Sequence, residues 1–234
     1  QYSQKKSVRI QDHLSVYQSP SRGRSIWQLC NTLIPYFVLW ELAWWTLQYS
    51  FWLAIPLMVL SSGFAIRSFI IFHDCGHQAF FKSRRANDFW GRITGVFTFT
   101  TYYYWHFSHA RHHATSANLD KRGFGDVWMM TVNEYKESSR WERLKYRLYR
   151  HPFIMFVLGP FFIALLSHRL VRPGSNRRER NSVWLTNISI VAMAAVVCWL
   201  IGWKEFLLIQ CLTLFFALMA GVWLFYVQHQ FEGV

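Results

Sequence analysis

Apolar residues gather along this chain in long blocks separated by strongly basic segments. Four blocks reach the roughly 20 mostly apolar residues that a helix needs to cross a bilayer. They run from about Trp27 to Leu47, Phe51 to Phe72, Val183 to Ile201 and Phe206 to Val227. Only Gln48–Ser50 separates the first pair and Gly202–Glu205 the second, so each pair reads as a tight helical hairpin. Positively charged loops stay in the cytoplasm, and the basic segments Lys82–Arg92, Arg140–Arg150 and Arg169–Arg180 therefore belong on one side. A crossing by the shorter stretch Pro152–Ser167, interrupted by Gly159-Pro160, would put the last of them on the wrong side. That stretch is expected to be a re-entrant or interfacial hairpin. Phe89–Tyr104, short and carrying Gly91 and Gly95, is expected to be a partly immersed connector. In Glu134–Arg150, Trp141, Leu144 and Leu148 recur at helical spacing among Lys and Arg. This predicts an amphipathic helix on the membrane surface, with packing on a soluble core as the alternative. The expected fold is an all-α integral membrane protein: four transmembrane helices in two hairpins, with a cytosolic helical cap, forming a single domain over 1–234.

Composition agrees with a membrane. Of 234 residues, 53% are hydrophobic and 19% aromatic, with 13 tryptophans, a residue that collects at membrane–water boundaries. The net charge of +13 is compatible with nucleic acid or with an anionic membrane face. Its placement between apolar blocks selects the membrane and argues against nucleic acid. Cys30, Cys75, Cys198 and Cys211 are scattered, which excludes a disulfide framework. The chain begins at Gln1 and stops at Val234 just after an apolar block, so both ends are expected to be cut. Two ionisable residues fall inside blocks, where such groups are functional candidates. Arg67 is close enough to the cytosolic end to snorkel. Glu41 lies deeper, as either a functional group or a protonated carboxyl in a helix–helix hydrogen bond.

The candidate chemistry lies in the histidines. His73-Asp74-Cys75-Gly76-His77 continues the second block as an HxxxH motif, and the i, i+4 spacing puts both imidazoles on one helix face. His109-Ala110-Arg111-His112-His113 is an HxxHH motif, again on one face of a helix. Five imidazoles exceed what a structural zinc site closes with and suit a dinuclear site, although imidazole alone does not choose among zinc, copper, iron and nickel. His229 stands alone, but the parity of the spans returns it to the depth of the two motifs, so it is a further candidate. His106 shares the face of His109 and is as readily an interfacial residue as a ligand. His13, His151 and His168 are expected to be solvated. Asp74, Asp120 and Asp126 are candidates to fix imidazole tautomers from behind, or are plain solvated or capping groups. No GxGxxG, P-loop or GxSxG motif is present.

These residues carry a resemblance. The segment His73–His77 resembles the first histidine box of the membrane fatty acid desaturases. Trp105–Tyr135 is similar to the second box with its downstream signature, and Trp223–Glu232 to the segment before the third box. The match covers most of the chain and is to the bacterial acyl-lipid Δ5/Δ12 type in particular. It implies a centre of two non-haem iron ions that uses O₂ and two electrons to place a cis double bond in the acyl chains of membrane lipids. It implies an electron donor such as ferredoxin, flavodoxin or cytochrome b5, and a bacterial cell membrane with the boxes on the cytosolic side. The implied metal ligands are His73, His77, His109, His112, His113 and His229, whereas His106 inherits no such role. The family's third HxxHH box is missing, so the domain is expected to be incomplete at its C-terminus. Similar boxes occur in hydroxylases of alkanes, sterols or carotenoids, which the stretch Thr115–Trp128 disfavours. A non-catalytic haem protein is the distant alternative, against which the clustering at one surface argues.

Overall fold

The computed structural model describes residues 19–115, 118–121 and 127–228. Every described element is helical, with no strand among the described residues. The first hairpin is α1 (Arg22–Leu47) and α2 (Phe51–Gly76). Two shorter helices follow, α3 (Arg84–Phe97) and α4 (Tyr102–Thr115). After a 3₁₀ turn at Leu119–Lys121 come α5 (Val132–Glu137) and α6 (Arg140–Tyr149). A helical stretch over Ile154–Ser167 contains α7 (Gly159–Phe162) between two π-helical turns. The last hairpin is α8 (Arg177–Ile201) and α9 (Trp203–Gln228), turned at Gly202, whose φ of 96° a residue with a Cβ rarely adopts.

Three helices, α2, α8 and α9, are long and apolar enough to cross a bilayer; a fourth arises only if α6 and Ile154–Ser167, bent by 59°, make one broken span. The first expected span forms a 26-residue helix but falls short of this apolarity. Gln28, Asn31 and Glu41 dilute it, and its many Trp and Tyr are boundary residues more than hydrocarbon ones. The outer faces of the hairpins carry exposed Trp52, Ile188, Val191 and Trp199, as lipid contact requires. Lipid is as apolar as leucine, so helices in a bilayer associate through close packing of small side chains. Ala43, Ala54 and Met58 close against Ile209 between α1, α2 and α9, and Tyr36 sits against Ala65 and Ala217 one level along. Trp40 Nε1 donates to Gln210 Oε1 at 3.2 Å across that junction. This is the cross-helix bond expected of Glu41, which instead lies exposed on α1. Arg67, expected to snorkel, donates to Asn31 Oδ1 on α1 at 2.8 Å.

Three local expectations change. Phe89–Tyr104 is no connector but the end of α3, a break at Thr98–Thr101 and the start of α4. Gly91 and Gly95 let α3 press against Tyr102, Thr100 and Phe72, where a Cβ would not fit. Glu134–Arg150 is two helices, because Ser139 caps the second. Its hydroxyl accepts from the Glu142 amide while Glu142 accepts from the Ser139 amide, a reciprocal capping box. Trp141, Leu144 and Leu148 do share an exposed face of α6. Finally, Gly159-Pro160 does not reverse the chain: both Leu158 and Gly159 keep right-handed helical angles. A proline inside a helix clashes with the carbonyl four residues back, and the local widening to π geometry accommodates it. At about 1.5 Å per residue this stretch rises roughly 20 Å, less than a hydrocarbon core.

Candidate metal centre

The end of α2 is built to hold its two histidines still. Gln78 takes a left-handed φ of 58° directly after the helix, and the Ala79 amide reaches back to the Asp74 carbonyl at 2.9 Å. Such a cap satisfies the last carbonyls. Gln78 Nε2 donates to Cys75 O, Asp88 Oδ1 and Tyr102 Oη, each at 3.2 Å, and Tyr102 donates its hydroxyl to Cys75 O at 2.8 Å. Asp88 also accepts from the Tyr103 hydroxyl at 2.8 Å and lies 3.5 Å from Arg178. One carboxylate on α3 thus ties together the first histidine motif, the start of α4 and the start of α8. The sequence reading did not single out Asp88; the signal available was an acidic side chain inside the basic run Lys82–Arg92.

On this frame His73 and His77 from α2 meet His109 and His113 from α4. Their ligand atoms all lie within 4.8 Å of one another. His109 Nε2 is 3.1 Å from His73 Nε2, 3.1 Å from His77 Nε2 and 3.0 Å from His113 Nε2. A neutral imidazole nitrogen makes one hydrogen bond, so three nitrogens converging on a fourth cannot all be satisfied by hydrogen bonding. A cation satisfies them all. Two ligands about 2.1 Å from one ion, at right angles, stand about 3.0 Å apart, which is the spacing here. Burial, reinforced by the neighbouring imidazoles, pushes the His109 pKa down to about 3, and the same causes lower that of His77. Both rings are neutral at pH 7 and free to ligate.

The surroundings orient the rings. Asp74 Oδ1 lies 3.1 Å from His73 Nδ1, the position from which a carboxylate fixes the tautomer that leaves Nε2 for a metal. The Trp105 indole stacks on His109, centroids 4.2 Å apart, and also packs edge-on to His73. Gly76 makes room for it, since a Cβ there would meet the indole at 2.8 Å. Trp105 had no assigned role in the sequence. His112 is buried and stands beside the four-imidazole group, its ring 5.6 Å from that of His113, 5.9 Å from that of His109 and 5.8 Å from that of Phe225 on α9. His106 is half-buried and outside the group, and His151 is exposed, as expected. Asp120 lies in the turn Leu119–Lys121, its amide donating to Asn118 Oδ1, and it is not brought to the histidines. His229, Asp126 and His13 lie outside the described residues.

His168 departs from expectation. It was expected to be solvated, yet its Nδ1 is buried without a partner. Burial, then Arg169 and Arg172, pushes its pKa down to about 4. It lines a cavity of about 340 Å³ that runs between α2, α4, Ile154–Ser167 and α9. His109 and His112 line the same cavity, whose long walls are apolar and include Phe69, Ile163, Leu214 and Leu218. The helices therefore place a potential metal site against the wall of a greasy slot.

Asp88→Asn tests the frame. Losing half of the acceptor capacity in this network is expected to destabilise the fold by about 1–3 kcal/mol and weaken metal binding about tenfold. Thermal melts and iron titration of the variant report the two effects, and unchanged iron affinity would refute a positioning role for Asp88.

The family model for fatty acid desaturases matches residues 50–234. A Bacillus subtilis protein named fatty acid desaturase is 50% identical over 227 residues, covering 97% of this chain and 64% of that protein. A Synechocystis sn-1 oleoyl-lipid 12-desaturase is 30% identical over 146 residues, 62% of this chain and 40% of its own. A Synechocystis sn-1 acyl-lipid omega-3 desaturase (ferredoxin) is 26% identical over 162 residues, 65% of this chain and 44% of its own. The chain thus spans under two thirds of the length of these relatives. No solved structure matches it. A four-imidazole cluster on two helices, with a family match reaching from α2 to the end of the chain, leads to one assignment: the chain belongs to the fatty acid desaturase family.

Proposed function

We propose that the protein containing this chain desaturates acyl chains of membrane lipids, and that 1–234 is the main part of one desaturase domain. The observation that carries the reading is the convergence of His73, His77, His109 and His113, with His109 also lining an apolar cavity. On this reading those four hold one iron. His112 and His229, which follows Phe225 by four positions, belong to the second. Imidazole is a common ligand of iron as well as zinc, and zinc lacks the redox chemistry that an unactivated methylene demands. Two irons, with O₂ and two electrons, would supply the oxidising power. The chain's own residues do the rest. The cavity walls hold the acyl chain straight and exclude water, Trp105 and Asp74 fix the ligand rings, and Cys75, Tyr102 and Asp88 keep α2 and α4 in register. A ferredoxin is a natural electron donor, since one relative's name carries it; flavodoxin and cytochrome b5 are alternatives.

Two measurements test this. The full-length protein from iron-replete cells is expected to contain two irons per chain and to produce unsaturated lipids in a host lacking its own enzyme. Stoichiometric zinc without iron, or hydroxylated products alone, would overturn it. The topology is proposed as four crossings, α1 included, in a bacterial cell membrane with both motifs cytosolic. A single cysteine at Ser175, in the loop before α8, is then expected to escape a membrane-impermeant label on intact cells and to react in inverted vesicles. Labelling from outside would refute the orientation.

A further inference from the structure

The end of the α4 wall of the cavity far from His112 is polar and basic. Tyr104, Ser167, His168 and Arg172 line it. Arg172 Nη2 donates to Ser167 Oγ at 2.9 Å, and its guanidinium stands 5.1 Å from the centre of the Tyr104 ring. The His168 ring packs edge-on to Tyr104, centroids 6.0 Å apart. Arg169 is adjacent, its Nη2 donating to Phe99 O at 2.7 Å. Two polar atoms of the lining residues are buried and lack a partner, Tyr104 Oη and His168 Nδ1, as do Nε and Nη1 of Arg169 next in the chain. Buried polar groups are nearly always paired, so each orphan needs an explanation. The Arg172 guanidinium and the His168 imidazole both flank Tyr104, with no described carboxylate hydrogen-bonded to either. An oxygen-rich group would complete the site.

The walls fix how far this end lies from the histidines. Tyr104, Ser108 and His112 lie along one side of α4, and about 1.5 Å per residue puts Tyr104 roughly 12 Å from His112 along the helix. The apolar lining that faces this side of α4 comes from α2, Ile154–Ser167 and α9. A molecule filling the cavity needs acceptor oxygens at one end and a hydrocarbon chain at the other.

We propose that Arg172 and His168, with Tyr104, form a head-group subsite that binds the acceptor oxygens of an acyl lipid, namely the ester carbonyl or the phosphate beyond it. The inference rests on reading the cavity as the acyl site, and it adds that the acyl chain is held by its polar end. Arg172 is exposed on its outer side, so the subsite opens to the lipid head-group region while His168 closes its inner side. Arg172 and His168 are positioning residues: they set which methylene lies beside His109 and His112.

The test is binding without turnover. The purified full-length protein, held in amphipol, is titrated with radiolabelled hexadecane, methyl palmitate and palmitoyl-lysophosphatidylglycerol. The wild type is expected to bind the ester on the order of ten-fold tighter than the alkane, the worth of a hydrogen bond to charged donors. Arg172→Met and His168→Phe keep bulk and remove donors. Both are expected to lose that preference while their affinity for hexadecane stays as in the wild type, which also shows that the cavity is folded. Arg180→Ala, an exposed arginine on α8, should behave as the wild type. A lysolipid that binds tighter still places the phosphate in the subsite, and one that equals the ester assigns the subsite to the carbonyl. Equal binding of ester and alkane by the wild type, or a preference that survives both substitutions, would overturn the subsite alone. Failure of the wild type to bind any of the three would overturn the acyl cavity and the subsite with it.

Discussion

Replacing His109 by alanine is expected to strip the full-length protein of its metal. His109 is the hub of the cluster, at 3.0 to 3.1 Å from three other imidazole nitrogens, two on α2 and one on its own helix. The other rings also contact each other, His73 with His77 at 4.5 Å and His77 with His113 at 5.1 Å between centroids, but His109 is the one whose nitrogen all three others approach, so its loss removes one ligand and also that common point. Removing a mere outer partner of a metal ligand costs 10–100-fold in affinity; losing the hub is expected to cost at least about 100-fold. The fold should survive. The ring is half-buried beside Trp105, and the indole keeps its contacts with Phe69 and Phe72 on α2. His151→Ala is the proper comparison, a single imidazole deletion at an exposed site whose Nδ1 accepts only from the Phe153 amide. Metal analysis at equal helix content decides the matter. Full iron content in His109→Ala would mean that the cluster is not the binding site.

The largest structural effect is expected from a single methyl group. In Gly95→Ala the new Cβ would sit 2.6 Å from the Thr100 carbonyl oxygen and 3.1 Å from the Phe72 ring. The first of these is backbone and cannot swing away. It belongs to a tight turn in which the Thr100 amide donates to Gly95 O at 2.7 Å and Phe99 takes a left-handed φ of 55°. Overpacking of this kind costs about 1–3 kcal/mol. The strain falls on the turn that launches α4, so the second histidine motif should shift against the first. Gly63→Ala is the control. It lies mid-helix in α2, where a Cβ meets nothing within 4 Å, and alanine there is expected to be neutral or stabilising by up to about 1 kcal/mol. Thermal melts in detergent should separate the two variants by several degrees. Equal melting temperatures would contradict the close approach of α3 to the Thr98–Thr101 turn.

What could be read in advance was whatever depends on local repetition. Helical hairpins at Gln48–Ser50 and Gly202 followed from long apolar blocks with short breaks. The pairing of His73 with His77, and of His109 with His113, followed from i, i+4 spacing. The misreadings have physical causes. Trp and Tyr are boundary residues as well as apolar ones, so α1 has the length of a span but is less apolar than α2, α8 and α9. The serine at 139 was read as a helix residue, although Ser-x-x-Glu is a start signal and repeats the pattern of Thr131 with Glu134 and of Asn176 with Glu179. His112 and His113, at i+3 and i+4 from His109, diverge by about 100° on a helix, which puts His113 in the four-imidazole group and His112 beside it, between His113 and Phe225. Asp88, Trp105 and His168 act through neighbours distant in the chain, and no spacing rule announces such contacts.

The two ends of the cavity also differ in how the chain assembles them. The four converging imidazoles span one short segment; His73 and His109 are 36 positions apart. Loops of that size close at little entropic cost, and contacts local in sequence form early. The slot needs α9, since its far wall comes from Leu214 to Phe225, more than 100 positions after His109. A nascent chain thus completes its ion-binding group with the first two helix pairs. It waits for the last hairpin before the apolar cavity has its second wall.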